Sequence, residues 1–274
     1  MTSPSPLETL DVPAEFALLA IDMEKYSQIP EAKMETARSD VDDILATVLA
    51  ECQLQDLREI PDVYKDTGDG VILLFPPAVL ARLVDPLLGR LNSALVRYER
   101  QRLASSQAVR LRASVHVGPV PLPRLRGGNA IVEVCRLLES RAVYQALSAA
   151  SDSGAFLAAV LSETAYRRCV HGGYTPQLTH HDFLEALARV SNKPGFEDIC
   201  RLHVPGLPAV ALAPYITDAS DPGPSAPAPP SPPPAPGSPA ASAGSGGSFQ
   251  FHAPLYDATV ANTIEHLRYE RPQR

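Results

Sequence analysis

The feature that most limits what this chain can fold into lies near its end. Residues 218–248 read DASDPGPSAPAPPSPPPAPGSPAASAGSGGS, with ten prolines and otherwise mainly Ala, Ser and Gly. A run without large apolar side chains cannot offset the entropy of ordering its own backbone. The proline part is expected to be extended and the Gly/Ser part flexible, so residues 215–248 read as a disordered linker. Any folded domain must come from residues 15–214, behind an expected disordered N-terminus of residues 1–14. Residues 249–274 stand apart as a short segment of their own.

Before the linker the chain is long enough for one sizeable domain. Apolar residues make up 45% of the sequence, enough for a real core. The net charge of -7 argues against a nucleic-acid binder, which would carry a basic surface. Cys52, Cys135, Cys169 and Cys200 are scattered with no CxxC spacing, which suggests neither a zinc knuckle nor a redox pair. They read as buried thiols of a reducing compartment. The first residues, MTSPSPLE, lack a basic region followed by an apolar one, and no apolar run is long enough for a membrane span. A cytoplasmic location away from membranes is expected.

Strands and helices alternate through the candidate domain. Residues 16–22 (FALLAID) form a short apolar run with the look of a buried strand. Residues 31–53 carry apolar positions at helical spacing. Residues 63–75 (VYKDTGDGVILLF) read as a hairpin, with Gly68 and Gly70 supplying positive φ in a tight turn. A second helix spans residues 78–103, kinked or restarted at Pro86. Residues 110–117 alternate polar and apolar like a half-buried strand. A third helix covers residues 129–149. A strand at 156–161, a short helix at 163–170 and a last strand at 198–204 follow. Such an order predicts an α/β (α+β) sandwich of the split ferredoxin-like type.

Two carboxylates are the first candidates for chemistry. Asp22 ends the first apolar strand, and Asp69 sits in the hairpin turn. If both lie at one sheet edge they suit magnesium, which takes one or two carboxylates and completes its shell with water and phosphate oxygens. On spacing alone the bland reading is the usual one, because a strand-end Asp is usually a turn former and a Thr-Gly-Asp-Gly run is usually just a turn. His180 and His181 are adjacent, so in a strand they would point apart and hold no metal together.

Four stretches in order carry a resemblance. They are Ala20-Ile21-Asp22-Met23-Glu24-Lys25-Tyr26-Ser27, Lys65-Asp66-Thr67-Gly68-Asp69-Gly70, Arg112-Ala113-Ser114-Val115-His116-Val117-Gly118, and residues 128–137 (GNAIVEVCRL). They resemble the catalytic domain of class III nucleotidyl cyclases, and Leu161-Ser162-Glu163-Thr164-Ala165-Tyr166 is similar to a later part of it. The resemblance spans roughly residues 15–207 and implies a divergent bacterial member with the ferredoxin-like fold of that family. It implies that Asp22 and Asp69 hold two magnesium or manganese ions, with Ile21 and Met23 beside them at the substrate. It implies that Lys65 faces the base and that Arg136 reaches the triphosphate of a neighbouring subunit. The implied activity is a phosphorus–oxygen lyase reaction, turning an NTP into a 3′,5′-cyclic nucleotide and pyrophosphate in a signalling homodimer.

The chain also departs from that pattern. Val132 stands where the family has an Asn that donates to the transition state, and Leu125 falls near its second base-selecting position. The connection after Gly118 is short and rich in proline. Loss of one such donor typically costs ~10²–10³ in turnover. The alternative is therefore a degenerate module that binds nucleotide or dimerises and recruits a partner through its tail. That tail, residues 249–274, holds Phe249, Phe251, Leu255, Tyr256, Val260 and Ile264. It faintly resembles the C-terminal adaptor motifs of bacterial signalling and conflict proteins. Strand addition to a partner, self-stacking, and folding back on its own domain are all open.

Overall fold

The computed structural model describes residues 12–54, 63–103, 106–122, 128–191, 193 and 195–217. Residues 218–248 of the expected 215–248 linker, the expected C-terminal segment 249–274 and Leu125 lie outside the described residues.

A seven-stranded sheet organises the domain, in the order β2-β3-β1-β4-β5-β7-β6. The strands are β1 (Glu15–Met23), β2 (Tyr64–Asp66), β3 (Gly70–Phe75), β4 (Leu111–Pro119), β5 (Leu157–Ser162), β6 (Leu184–Arg189) and β7 (Glu197–His203). Only β4 and β5 run parallel; the other neighbours are antiparallel. Strand alternation divides β1 cleanly. Leu19, Ile21 and Met23 join the apolar cluster that also holds Val41, Leu45, Val48 and Leu49 of α1 (Glu31–Glu51). Leu87, Leu88, Leu91 and Leu95 of α3 (Leu87–Gln101) complete it, after the short α2 (Leu80–Val84). On the other face, Leu18 and Ala20 pack with Ala130, Ile131 and Val134 of α4 (Asn129–Leu138). Further along that face, α5 (Arg141–Ser153) lays a small-residue stripe of Ala142, Ala146 and Ala150 on β5, β6 and β7. Both faces of the sheet are thus covered, which is why β1 and β3 read as continuous apolar runs.

The expected strands and the long first helix are present, with four differences. The second helix breaks at Asp85, which takes an extended conformation as a residue before proline does. The third divides into α4 and α5 at Ser140, whose buried hydroxyl donates to the Leu137 carbonyl. β6 was not expected, because its sequence LEALAR carries strong helix formers. The short helix expected at 163–170 is α6 (Glu163–Tyr166) followed by a π-helical turn at Arg167–His171. His180 and His181 lie in a 3-10 turn rather than a strand, exposed, with ring centroids 3.8 Å apart. Among the described residues no helix is long and apolar enough to cross a membrane. The cysteines are free; Cys52, Cys169 and Cys200 are buried and Cys135 is half-buried.

Strand β4 is more buried than its alternation suggested. Arg112, Ser114 and His116 all face the α4 and α5 side and are almost fully covered. Ser114 donates to the Val134 carbonyl at 2.7 Å, and His116 Nε2 lies 3.1 Å from a Glu133 carboxylate oxygen. Burial, assisted by the charge of Arg168, pulls His116 down from 6.5 to about 4. The unfolded chain binds this proton first, so His116 supports the fold above about pH 6.5 and that support is lost as pH falls toward 4. His116→Asn should remove ~1–2 kcal/mol of the stability difference between about pH 7 and about pH 5. Urea unfolding of both proteins at the two pH values checks this; an unchanged difference contradicts it.

Candidate functional site

The C-terminal end of β1 delivers Asp22 to the α4 and α5 side of the sheet, directly opposite Gly70 on one neighbour and Arg112 on the other. Gly70 is required there for a reason other than its φ. A Cβ at this position would fall on the Ile21 carbonyl oxygen, so only glycine lets β3 approach β1. The positive φ of the turn belongs to Gly68, at +90°. The Gly68 amide donates to Asp66 Oδ1 at 2.7 Å, and Arg38 of α1 donates to the Gly70 carbonyl at 2.7 Å. The Met23 amide donates to the Asp69 carbonyl at 3.0 Å. These bonds hold the hairpin turn, and Asp69 with it, beside the end of β1.

Arg112 is the residue that the sequence reading missed. Its Nε donates to Asp22 Oδ1 at 2.9 Å and its Nη2 to Oδ2 at 2.7 Å, a bidentate pair. Its guanidinium carbon lies 3.7 Å from the centre of the Tyr144 ring. The pair is desolvated: the Arg112 and Asp22 side chains are only 6% and 14% exposed. Burial pushes Asp22 up to about 6, against the pull of Arg112, and the carboxylates of Asp69 and Glu139 push it further. For Arg112 burial opposes the charge, but the charge and hydrogen bonds of Asp22, together with Tyr144, raise it on balance. Arg112 Nη1 is buried without a hydrogen-bond partner. An alternating strand offers no hint that its one charged residue at this end is buried; the signal was that Arg112 stands in register with Asp22 across an antiparallel pair.

The other expected site residues are distributed unevenly. Asp69 is half-buried in the turn and close enough for its charge to act on Asp22. Lys65 is exposed on the edge strand β2, opposite Ile72, and its charge is felt by Cys135 of α4, so it stands on the Asp22 side of the sheet. Ile21 and Met23 are core instead of lining. Alternation turns their side chains away from Asp22 into the α1 and α3 layer, where they are 2% and 1% exposed. Only their backbone is at the site. Arg136 stacks on the chain's own Phe196, its guanidinium carbon 5.0 Å from the ring centre, with Nε buried and unpartnered. Val132, one helical turn before it, is 40% exposed on the same side of α4.

The expected metal ligands, Asp22 and Asp69, offer two carboxylates. Among the described residues no cluster of three or more His, Cys, Asp or Glu side chains is placed to hold an ion. Two carboxylates fit magnesium or manganese only if phosphate and water complete the shell. Both oxygens of Asp22 are engaged by Arg112, so a cation must compete with a guanidinium.

Removing Arg112 leaves a desolvated carboxylate alone. Arg112→Ala should cost ~3 kcal/mol or more in urea unfolding. Combining it with Asp22→Ala should cost less than the single change, because no buried charge is then stranded. Simple addition of the two losses would show that the pair is not coupled.

No family model matches the sequence, and no curated protein does. Among solved structures the chain is similar to a guanylyl cyclase, at 11% identity over 70% of this chain and 91% of that one, with a TM-score of 0.46. It is similar to the guanylate cyclase domain of RhGC from Catenaria anguillulae in complex with GTP, at 13% identity over 69% and 95%, TM-score 0.42. It is also similar to a bacterial light-regulated adenylyl cyclase, at 12% identity over 68% and 88%, TM-score 0.45. These are adenylyl and guanylyl cyclases, the kind of protein whose catalytic domain the stretches around Asp22, Asp69, His116 and Arg136 resemble.

Proposed function

We propose that residues 15–214 form a nucleotidyl cyclase-like domain that binds a nucleoside triphosphate with a divalent cation at the Asp22 end of the sheet. As a homodimer it converts the nucleotide to its 3′,5′-cyclic form. The observation that carries this reading is the buried Asp22–Arg112 pair with Asp69 fixed beside it. A carboxylate locked to a guanidinium is the complement of a metal ion bound to phosphate. The cation can take the carboxylates while a phosphoryl oxygen takes the guanidinium, and neither buried charge is left alone. Either partner by itself would strand one of them.

Asp22 and Asp69 would hold the cation, which supplies charge neutralisation and lowers the proton affinity of the attacking hydroxyl. Arg112 would orient the phosphates, and Lys65 stands on the correct side of the sheet to approach a base. The ribose 3′-oxygen bonds to the α-phosphorus as the bond to the bridging oxygen of the β-phosphate breaks. Pyrophosphate leaves, and the hydroxyl proton passes to solvent. Arg136 would have to leave Phe196 to serve a neighbouring subunit's phosphates.

Val132 favours a second reading. An exposed valine cannot donate a hydrogen bond, so the domain would hold nucleotide and dimerise with little turnover while the tail recruits a partner. Incubation of the purified chain with manganese and each of the four NTPs, followed by mass spectrometry, separates the two. The first reading expects cyclic product that disappears in Asp22→Ala and Asp69→Ala. Nucleotide binding without product for any base supports the second, and product that survives both substitutions contradicts the assigned site.

A further inference from the structure

A cavity of about 380 Å³ opens between the start of α3 and the end of β7. A volume of this order suits a small-molecule ligand. It lies on the face of the sheet opposite that of Asp22. His203 on its wall is in register with Ala159 of β5 and stacks on Phe183, centroids 5.0 Å apart; both partners belong to the α1 and α3 layer. None of the residues assigned above to metal or nucleotide lines it.

Two buried polar side chains on this wall lack the partner that each needs. Asp85 is 6% exposed, and its Oδ2 accepts the Gln177 backbone amide at 2.6 Å. Among the described residues no lysine or arginine pairs with it, although a carboxylate this deep ordinarily has a counter-charge. His203 is 3% exposed, with Nδ1 2.9 Å from the Asp182 carbonyl oxygen. A carbonyl only accepts, so Nδ1 carries the proton and Nε2 is left as an acceptor. Nε2 takes no hydrogen bond among the described residues, yet it is not sealed from solvent, and the solvent that His203 meets is the cavity. Burial pulls His203 below the usual histidine value, against the bond to Asp182 and the charges of Asp182 and Asp85, so the ring is neutral at about pH 7 and both carboxylates lie close to it.

The wall is rich in acceptors and has no positive side chain. Asp85 and Asp182 lie in it without a lysine or arginine. Pro86, Pro205 and Pro208 have no N–H to offer, and the Leu207 amide already donates to the Val204 carbonyl. Apolar side chains of Val84, Leu178 and Leu207 fill in between. Gly89 of α3 completes the wall, and a Cβ there would meet nothing within 4 Å. Glycine inside a helix is less stable than alanine, and here it leaves the space open.

We infer that this cavity is a binding site for a short aliphatic diamine with both nitrogens protonated, held by Asp85, Asp182 and the Nε2 atom of His203. Two carboxylates without a cation call for two positive charges. A bare metal ion is not the complement, because among the described residues no three ligating side chains gather around one point. An ammonium brings several N–H donors, so one nitrogen can serve a carboxylate and the imidazole lone pair together. The methylenes between the nitrogens cover Val84, Leu178 and Leu207, which removes apolar surface from water on both sides.

The test is calorimetric titration of the full chain with 1,4-diaminobutane and with 1,4-butanediol, its uncharged counterpart, at equal ionic strength. The diamine should bind at one site, at least about tenfold more tightly than the diol, and should raise the Tm of the chain. Asp85→Asn keeps an acceptor for the Gln177 amide but removes the charge, and should weaken the diamine by about tenfold or more. Gly89→Leu places a side chain that suits a helix into the open space, so a chain with unchanged circular dichroism should lose diamine binding. If Asp85→Asn does not fold, Gly89→Leu decides alone. A wild type that does not bind the diamine, or binds the diol as tightly, overturns the inference. So does diamine affinity unchanged in a folded Asp85→Asn or Gly89→Leu chain. Neither readout involves a nucleotide, so the outcome is independent of the reading proposed above.

Discussion

A carboxylate at the end of a strand covered on both faces needs a partner, and Arg112 is that partner. Strand β1 is covered on one face by α1 and α3 and on the other by α4. Its last inward residue on the α4 side is therefore desolvated whatever its identity, and Asp22 answers by forming a two-bond pair across to β4. Much of the neighbourhood follows from keeping that pair in place. Gly70 permits β3 to close against β1, Arg38 pins the turn that carries Asp69, and Tyr144 covers the guanidinium from the α5 side. Such a pair does little for stability compared with apolar residues of the same size. On the function proposed above, the pair is chemistry held ready for exchange with a metal–phosphate ligand.

The parts of the fold that were legible are those where period and burial agree. The run FALLAID has the look of a buried strand and is one, and Lys-Asp-Thr-Gly-Asp-Gly between apolar runs reads as a hairpin turn and is one. LEALAR was illegible because its helix formers are overruled by pairing with β7 at the sheet edge, where tertiary context outweighs propensity. Arg112 was hidden for a subtler reason. Alternation in RLRASVHV distinguishes two faces but does not say that one of them is wet. Helices α4 and α5 cover the polar face, so its Arg, Ser and His are interior groups with assigned partners. Asp22 lies near the end of a strand as its sequence suggested, whereas Ile21 and Met23, its neighbours in sequence, are its opposites in space.

The β6–β7 hairpin adds a constraint that no local pattern announces. Its returning end brings Phe196 under Arg136 and Lys193 to within 2.6 Å of Glu139, so the outward side of α4 is engaged by its own chain. A guanidinium stacked on an aromatic ring is held by a modest attraction. The arrangement keeps Arg136 folded without committing it.

The two hydrogen bonds from β4 into α4 carry a mechanical consequence. Ser114 reaches the Val134 carbonyl and His116 reaches Glu133, from alternate residues of one strand to adjacent residues of one helix. A helix held only by greasy contacts can creep along a sheet in small steps. This one is indexed. Any slide along β4 must break both bonds at once, leaving a buried hydroxyl and a buried imidazole without partners, before a new apolar fit is found. Helix α4 therefore behaves like a bolt with one seated position. On the homodimer reading proposed above, Val132 and Arg136 would reach a second subunit only through side-chain rotation or by moving the sheet along with the helix.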